Sequence, residues 1–229
     1  MEQNKTGKYL KYAVGEIFLV VIGILIALQI NNWNEEQKKN SLKNEYIMSL
    51  KNDYTRDTIQ LNNRILLNRE GLKKLVLTKN RISNGEVKTI EDFKELYNNF
   101  YGLIRFTNTY NTNSFNLLIS SGNIDLLNKQ LREEIMELNR LQNFEQEVNS
   151  TNRDFFIEFM RNMSKYPFSV NPYNPESLNE LLWKGVQIDA LPRDITSYLG
   201  QYEFTIGRYI ELTKDVISQT ENVLNMLQQ

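Results

Sequence analysis

The chain has 229 residues, with 27 Lys and Arg against 28 Asp and Glu, and contains neither cysteine nor histidine. A net charge of −1 gives no electrostatic footprint for nucleic acid. Without Cys or His there is no disulfide, thiol nucleophile, Ser-His-Asp triad, Cys-His pair or Cys- or His-ligated metal centre, while paired carboxylates with hydrolytic or hard-metal roles stay open.

The length allows one anchor and one domain. We divide the chain into a short tail (1–11), a membrane span (12–33) and an extramembrane helical bundle (34–229). Every residue from Ile17 to Leu28 is apolar or Gly. At about 1.5 Å per residue, Tyr12 to Ile30 covers about 27 Å, close to the ~30 Å hydrocarbon core. Tyr9 and Tyr12 at one end and Trp33 at the other suit the two interfaces, where amphipathic rings settle. Two rivals share this pattern. A buried helix of a soluble protein would show a polar face, and Ile17 to Leu28 shows none. A cleaved signal peptide would share the basic start at Lys5, Lys8 and Lys11. The following Leu28-Gln-Ile-Asn-Asn-Trp33, however, has no pair of small residues arranged for cleavage, so an uncleaved signal-anchor is expected.

Glu16 is the anomaly, because a carboxylate inside a span costs roughly 2.5–3.5 kcal/mol on insertion scales. In one reading it lies one to two turns from the interface, where it reaches head groups or pairs with a lysine such as Lys11. In the other, Glu16, Val20, Gly23, Ala27 and Asn34 lie along one stripe at about 100° per residue. Gly23 and Ala27 form a small-xxx-small pair that lets two backbones approach closely. That stripe is the candidate contact face, packing against a second copy or another membrane protein. Three lysines precede the span, and Lys38, Lys39 and Lys43 follow it, so the positive-inside count is nearly balanced. A short tail is easily retained, and long domains translocate largely regardless of charge. The expected topology is therefore N-terminus inside, bulk of the chain outside.

From Glu35 to Ile82 there is no proline, and Leu50/Tyr54, Leu61/Ile65 and Leu72/Val76 recur every eleven residues. That period predicts a nearly straight stalk helix, whether or not it is continuous with the span. Gly71 marks either a bend or a close contact, and Asn84-Gly85 ends the helix. Within it, Asp57-Thr58-Ile59 matches a short O-glycosylation acceptor sequence, a tripeptide that also arises by chance. Thr89-Ile-Glu-Asp92 reads as a capping box with Asp in place of Glu. Phe93, Leu96, Tyr97, Phe100, Tyr101 and Ile104 follow at helical spacing. The aromatics from Phe93 to Phe115 line either a core or a ligand pocket, and core is the ordinary outcome. Thr107 to Ser114 is a polar loop, and a short helix from Ser114 ends at Gly122.

Ile124 to Lys165 carries an approximate heptad: Leu127, Leu131, Ile135, Leu138, Leu141, Val148, Phe155 and Phe159. Glu133 and Glu137, one turn apart, read as a solvated face rather than a metal site. Pro167, Pro172 and Pro175 break the chain, with Asn174-Pro175 as N-cap and N1 of a short helix to about Trp183. Trp183 is either a bundle cap or a partner anchor. Pro192 opens the last helix. There Ile195, Leu199, Tyr202, Ile206, Tyr209, Thr213, Val216, Thr220, Val223 and Leu227 alternate in steps of four and three. Its Thr and Tyr positions favour packing within a bundle over a free zipper.

The block from Lys8 to Glu35, and Tyr110-Asn-Thr-Asn-Ser-Phe-Asn-Leu-Leu-Ile-Ser-Ser-Gly-Asn-Ile-Asp-Leu-Leu127 followed by Leu131-Arg132, resemble a family of membrane-anchored proteins from Bacteroidota: domain-of-unknown-function family 6090. The resemblance implies a Gram-negative envelope protein; with the topology expected above, the anchor lies in the inner membrane and the domain in the periplasm. It transfers no catalytic residue. Many members carry a longer basic N-terminal tail than this chain.

The expected fold is all-α: a single N-terminal transmembrane helix followed by an elongated antiparallel bundle of about three long helices, each roughly 50–70 Å at ~1.5 Å per residue. No cofactor and no metal site is expected. The first functional expectation is a non-enzymatic, membrane-anchored scaffold or protein-interaction module. The alternative is a sensory ligand-binding bundle, similar in helix length to chemoreceptor periplasmic domains. Because the sequence reaches Gln229 with no second span, such a sensor would signal through a partner. A carboxylate enzyme is the third reading.

Overall fold

The computed structural model describes residues 3–100, 107–163, 165–167 and 175–228. Among these residues the regular structure is helical, with no strand. In order come α1 (Gln3–Ser83), α2 (Ile90–Phe100), α3 (Asn113–Ser120), α4 (Lys129–Met163), α5 (Glu176–Trp183) and α6 (Leu191–Met226). Single 3₁₀ turns lie at Asn123–Leu126 and Ile188–Ala190. Tyr101, Ile104, Pro172 and Asn174, which figure in the sequence reading, lie outside the described residues.

Span and stalk are one helix. α1 has 81 residues and is about 120 Å long at 1.5 Å per residue. It exceeds the expected length because nothing between Trp33 and Ser83 interrupts it: proline is absent and the helix runs straight through a buried Gly71. It stops where chain chemistry demands. Gly85 takes φ +68, and the N–H groups of Gly85 and Glu86 return to the carbonyls of Ile82 and Arg81 at 3.0 Å each, a Schellman motif. The capping box also forms: Asp92 accepts from the N–H of Thr89 (2.8 Å) and Lys88 (2.9 Å), and Thr89 Oγ1 accepts from Asp92 N–H (3.2 Å). These donors hold the Asp92 carboxyl below its usual range.

α6 lies between α1 and α4 and runs antiparallel to both. Lys79 of α1 pairs with Glu203 while Ile65 shares a groove with Ile217. On the other side Phe156 of α4 stacks on Tyr202 while Gln219 bonds Glu134. All ten seam residues expected on α6, from Ile195 to Leu227, are buried. Leu191, Tyr198, Ile210 and Ile217 are buried as well and widen the buried face, because the helix has a neighbour on each side. Trp183 is buried, with Lys94 Nζ 5.3 Å from its ring centroid, which makes it a cap on the far end of the bundle. Phe93 and Leu96 of α2 are core residues there. α5 begins one residue later than expected, with Pro175 at its N-cap.

Two seams depart from the expected register. On α1 the third repeat slips by one residue, so Leu75 is fully buried, Leu72 half-buried and Val76 exposed. Eleven residues overshoot three turns of a straight helix by about 20°, so a fixed eleven-residue pattern drifts off its neighbour after two repeats. On α4 the buried line runs Leu131, Ile135, Leu138, Gln142, Glu145, Asn149, Phe156 and Met163. Leu141 and Val148 are only partly buried and Phe155 is exposed.

Candidate functional site

The five residues of the expected membrane contact face, Glu16, Val20, Gly23, Ala27 and Asn34, all lie on α1 and all are exposed. So is every residue from Leu10 to Leu42, and the first buried side chain is Tyr46. The most apolar 18-residue window of α1 has mean hydropathy 2.5 and is 0% buried. By length and composition this helix is long and apolar enough there to cross a membrane. An added Cβ at Gly23 would meet nothing within 4 Å, so the chain itself leaves that face open.

A second constellation escaped the apolar count. Glu145 of α4 is 1% exposed and has no cationic partner among the described residues. Donors surround it instead. Asn108 Nδ2 (2.7 Å), Asn149 Nδ2 (2.5 Å) and Thr213 Oγ1 (3.4 Å) point at Oε1, and Tyr110 OH (3.0 Å) points at Oε2. Tyr209 OH donates to Asn108 Oδ1 (2.5 Å), which fixes the orientation of that amide, and Gln146 Nε2 donates to the Asn108 carbonyl (3.2 Å). Burial pushes the Glu145 carboxyl above its ordinary range while its four donors pull it back. Burial, then the charge of Glu145, raises the Tyr110 phenol.

The same loop is gripped from α1. Asp57, 1% exposed, accepts from Asn111 N–H (3.1 and 3.2 Å) and Asn111 Nδ2 (2.6 Å). Arg64 donates to the Thr107 carbonyl (2.6 Å), and Asp53 accepts from Ser114 N–H (3.3 Å) at the start of α3. The polar run Thr107 to Ser114 is thus a strap fastened to all three long helices. Asn108 is its one buried residue, Tyr110 to Thr112 and Ser114 are half-buried, and Thr107, Thr109 and Asn113 are exposed, so the polar groups it sinks into the bundle need such partners. Both Glu145 oxygens and both Asp57 oxygens are occupied by internal donors, so this arrangement holds a loop in place. Thr58 of the glycosylation-like tripeptide is half-buried and donates to the Tyr54 carbonyl (2.9 Å).

Glu133 and Glu137 lie on the solvated side of α4, Glu133 beside Lys129 (3.8 Å) and Glu137 bonded to Arg140 (2.5 and 2.7 Å). Among the described residues no three acidic side chains gather as a metal would require.

Family DUF6090, described as a family of unknown function, matches residues 16–149, more than half of the chain. The chain belongs to that family. The match begins at Glu16, within the apolar segment, and closes at Asn149, taking in Asp57, the strap and Glu145. Neither the curated proteins nor the solved structures contain a match to this chain.

Apolar residues alone do not mark the α4 seam that holds the strap, because the middle of that seam, Gln142, Glu145 and Asn149, is polar. Continuing the steps of four and three from Leu131, Ile135 and Leu138 leads through Gln142, Glu145, Asn149 and the half-buried Asn152 to Phe156, which is the observed line. The polar members of that line were the available signal.

Proposed function

We propose that this protein is a non-enzymatic, single-pass membrane protein of the bacterial envelope whose helical body scaffolds or binds another protein. One observation carries the reading: α1 passes without a break from the uncovered apolar segment into the bundle core. About twelve helical residues separate Trp33 from Tyr46, a spacer of roughly 20 Å that holds the body off the bilayer. From Tyr46 to Ser83 the same helix supplies about 55 Å of bundle wall. Such a shape suits display at a fixed distance. The non-enzymatic part is supported by the buried carboxylates Glu145 and Asp57, which are consumed by internal donors, and by the Glu133 and Glu137 pair, which lies beside Lys129 and Arg140.

We place the chain in the inner membrane with the N-terminus cytoplasmic and residues 34–229 periplasmic. The stripe Glu16, Val20, Gly23, Ala27 and Asn34 is its contact with another span, from a second copy or another membrane protein. The absence of cysteine makes the test clean. In spheroplasts a membrane-impermeant maleimide should label Ser41→Cys directly and Thr6→Cys only after permeabilisation; the reverse pattern would overturn the orientation. Gly23→Cys should give a crosslinked dimer or heterocomplex in membranes, and a purely monomeric product would remove the contact face.

A further inference from the structure

On α1, Met48, Ile59, Leu66 and Leu77 are 63%, 59%, 58% and 63% exposed. At about 100° per residue they fall within roughly 20° of one another, on the side opposite the buried Leu50, Leu61 and Leu75. The stretch from Lys51 to Ser83 carries eight Lys or Arg and three Asp or Glu. Two of the acids are spent on the strap, Asp53 on Ser114 and Asp57 on Asn111, leaving Glu70 as the exposed one. Arg56, Arg69, Lys73 and Lys74 are exposed beside the apolar stripe, with no ion pair among the described residues. Leu66 and Arg69 also border an open groove of ≈ 330 Å³ against α6, which Lys214 and Glu221 line from the other wall.

We infer that the outer face of α1 from Met48 to Leu77 is a docking surface for an acidic amphipathic helix of another protein. The apolar stripe supplies the helix-in-groove anchors, and the cations on either side select a partner flanked by carboxylates. Charge argues against a second copy. Two α1 helices rising side by side from one membrane would bring Arg56, Lys73 and Lys74 level with their own counterparts, and like charges facing each other oppose pairing. The candidate stripe of the span lies on the same side of α1 by helical angle, which suits a partner anchored in the same bilayer.

This inference rests on the interaction-module reading, and its test leaves the topology labelling untouched, so either can fail alone. The full chain in nanodiscs of zwitterionic lipid is titrated with three helical peptides. One has a leucine seam flanked by glutamate, one the same seam flanked by lysine, and one glutamates with the leucines replaced by serine. The first should bind and the other two should not. The pair Ile59→Ser and Leu66→Ser should weaken the first peptide about tenfold or more with an unchanged melting temperature, because both sites are exposed. Reversing Arg56, Lys73 and Lys74 to Glu should transfer binding to the lysine-flanked peptide. Failure of the first peptide to bind, equal binding of all three, or crosslinking of Leu66→Cys to a second copy would each overturn the inference.

Discussion

Replacing Glu145 with alanine tests how the strap is held. The carboxylate sits in the core without a cation, a placement that costs several kcal/mol unless hydrogen bonds offset it. In the alanine variant Asn149 Nδ2 and Tyr110 OH lose their acceptor, while Asn108 Nδ2 keeps Thr213 Oγ1 at 3.3 Å. Each stranded buried donor costs about 1–3 kcal/mol, and the lost side-chain volume adds about 1 kcal/mol. Relief from burying a charge returns part of this, for a net loss of about 3 kcal/mol. Glu145→Gln should cost less than half as much, because its carbonyl can stand at Oε1 and still accept from both asparagines. Urea unfolding of the full chain in mild detergent, followed by Trp183 emission in a Trp33→Phe background, measures both. Equal losses for Ala and Gln would refute the donor accounting, and a stabilised alanine variant would show that the buried charge dominates.

Three further outcomes follow from particular residues. Asn68 is 1% exposed on the α1 seam, and neither its Nδ2 nor its Oδ1 has a partner among the described residues; Asn68→Leu should raise stability by about 1–2 kcal/mol in the same urea assay, and a loss would show the amide to be satisfied. Gly85 has φ +68 and open space where a Cβ would stand, so Gly85→Ala should lower stability by about 1 kcal/mol through backbone strain alone. Lys165 and Tyr166 hold the Asp194 carboxyl near pKa 2, below its unfolded value. Its contribution is therefore present above about pH 4 and lost as pH falls through about 2. The stability gap between parent and Asp194→Asn should be largest at neutral pH and close near pH 2; a gap that persists there would contradict the assignment.

Much of the architecture was legible because single elements announced themselves. The α6 seam alternates in steps of four and three without a miss, Asn84-Gly85 carries a left-handed terminus, and Thr89 to Asp92 carries its own cap. Apolar preference misled where function of the core is polar. Leu141, Val148 and Phe155 drew the α4 seam one residue away from Gln142, Asn149 and Phe156, and thereby hid Glu145. The strap was legible only as a loop, since its partners Asp57, Arg64 and Tyr209 are far away in sequence and nothing local identifies them. The length of α1 depended on reading an absence of breakers across Trp33 as positive evidence for continuity.

The central claim is that residues 12–33 lie in lipid and carry the bundle with them. Flotation on a density gradient, after carbonate washing of membranes, tests it most directly. The full chain should rise with the vesicles, and a variant with Ile17 to Leu28 replaced by Ser and Gln should stay at the bottom. A full chain that remains in the soluble fraction, or a replaced variant that still floats, would contradict the account.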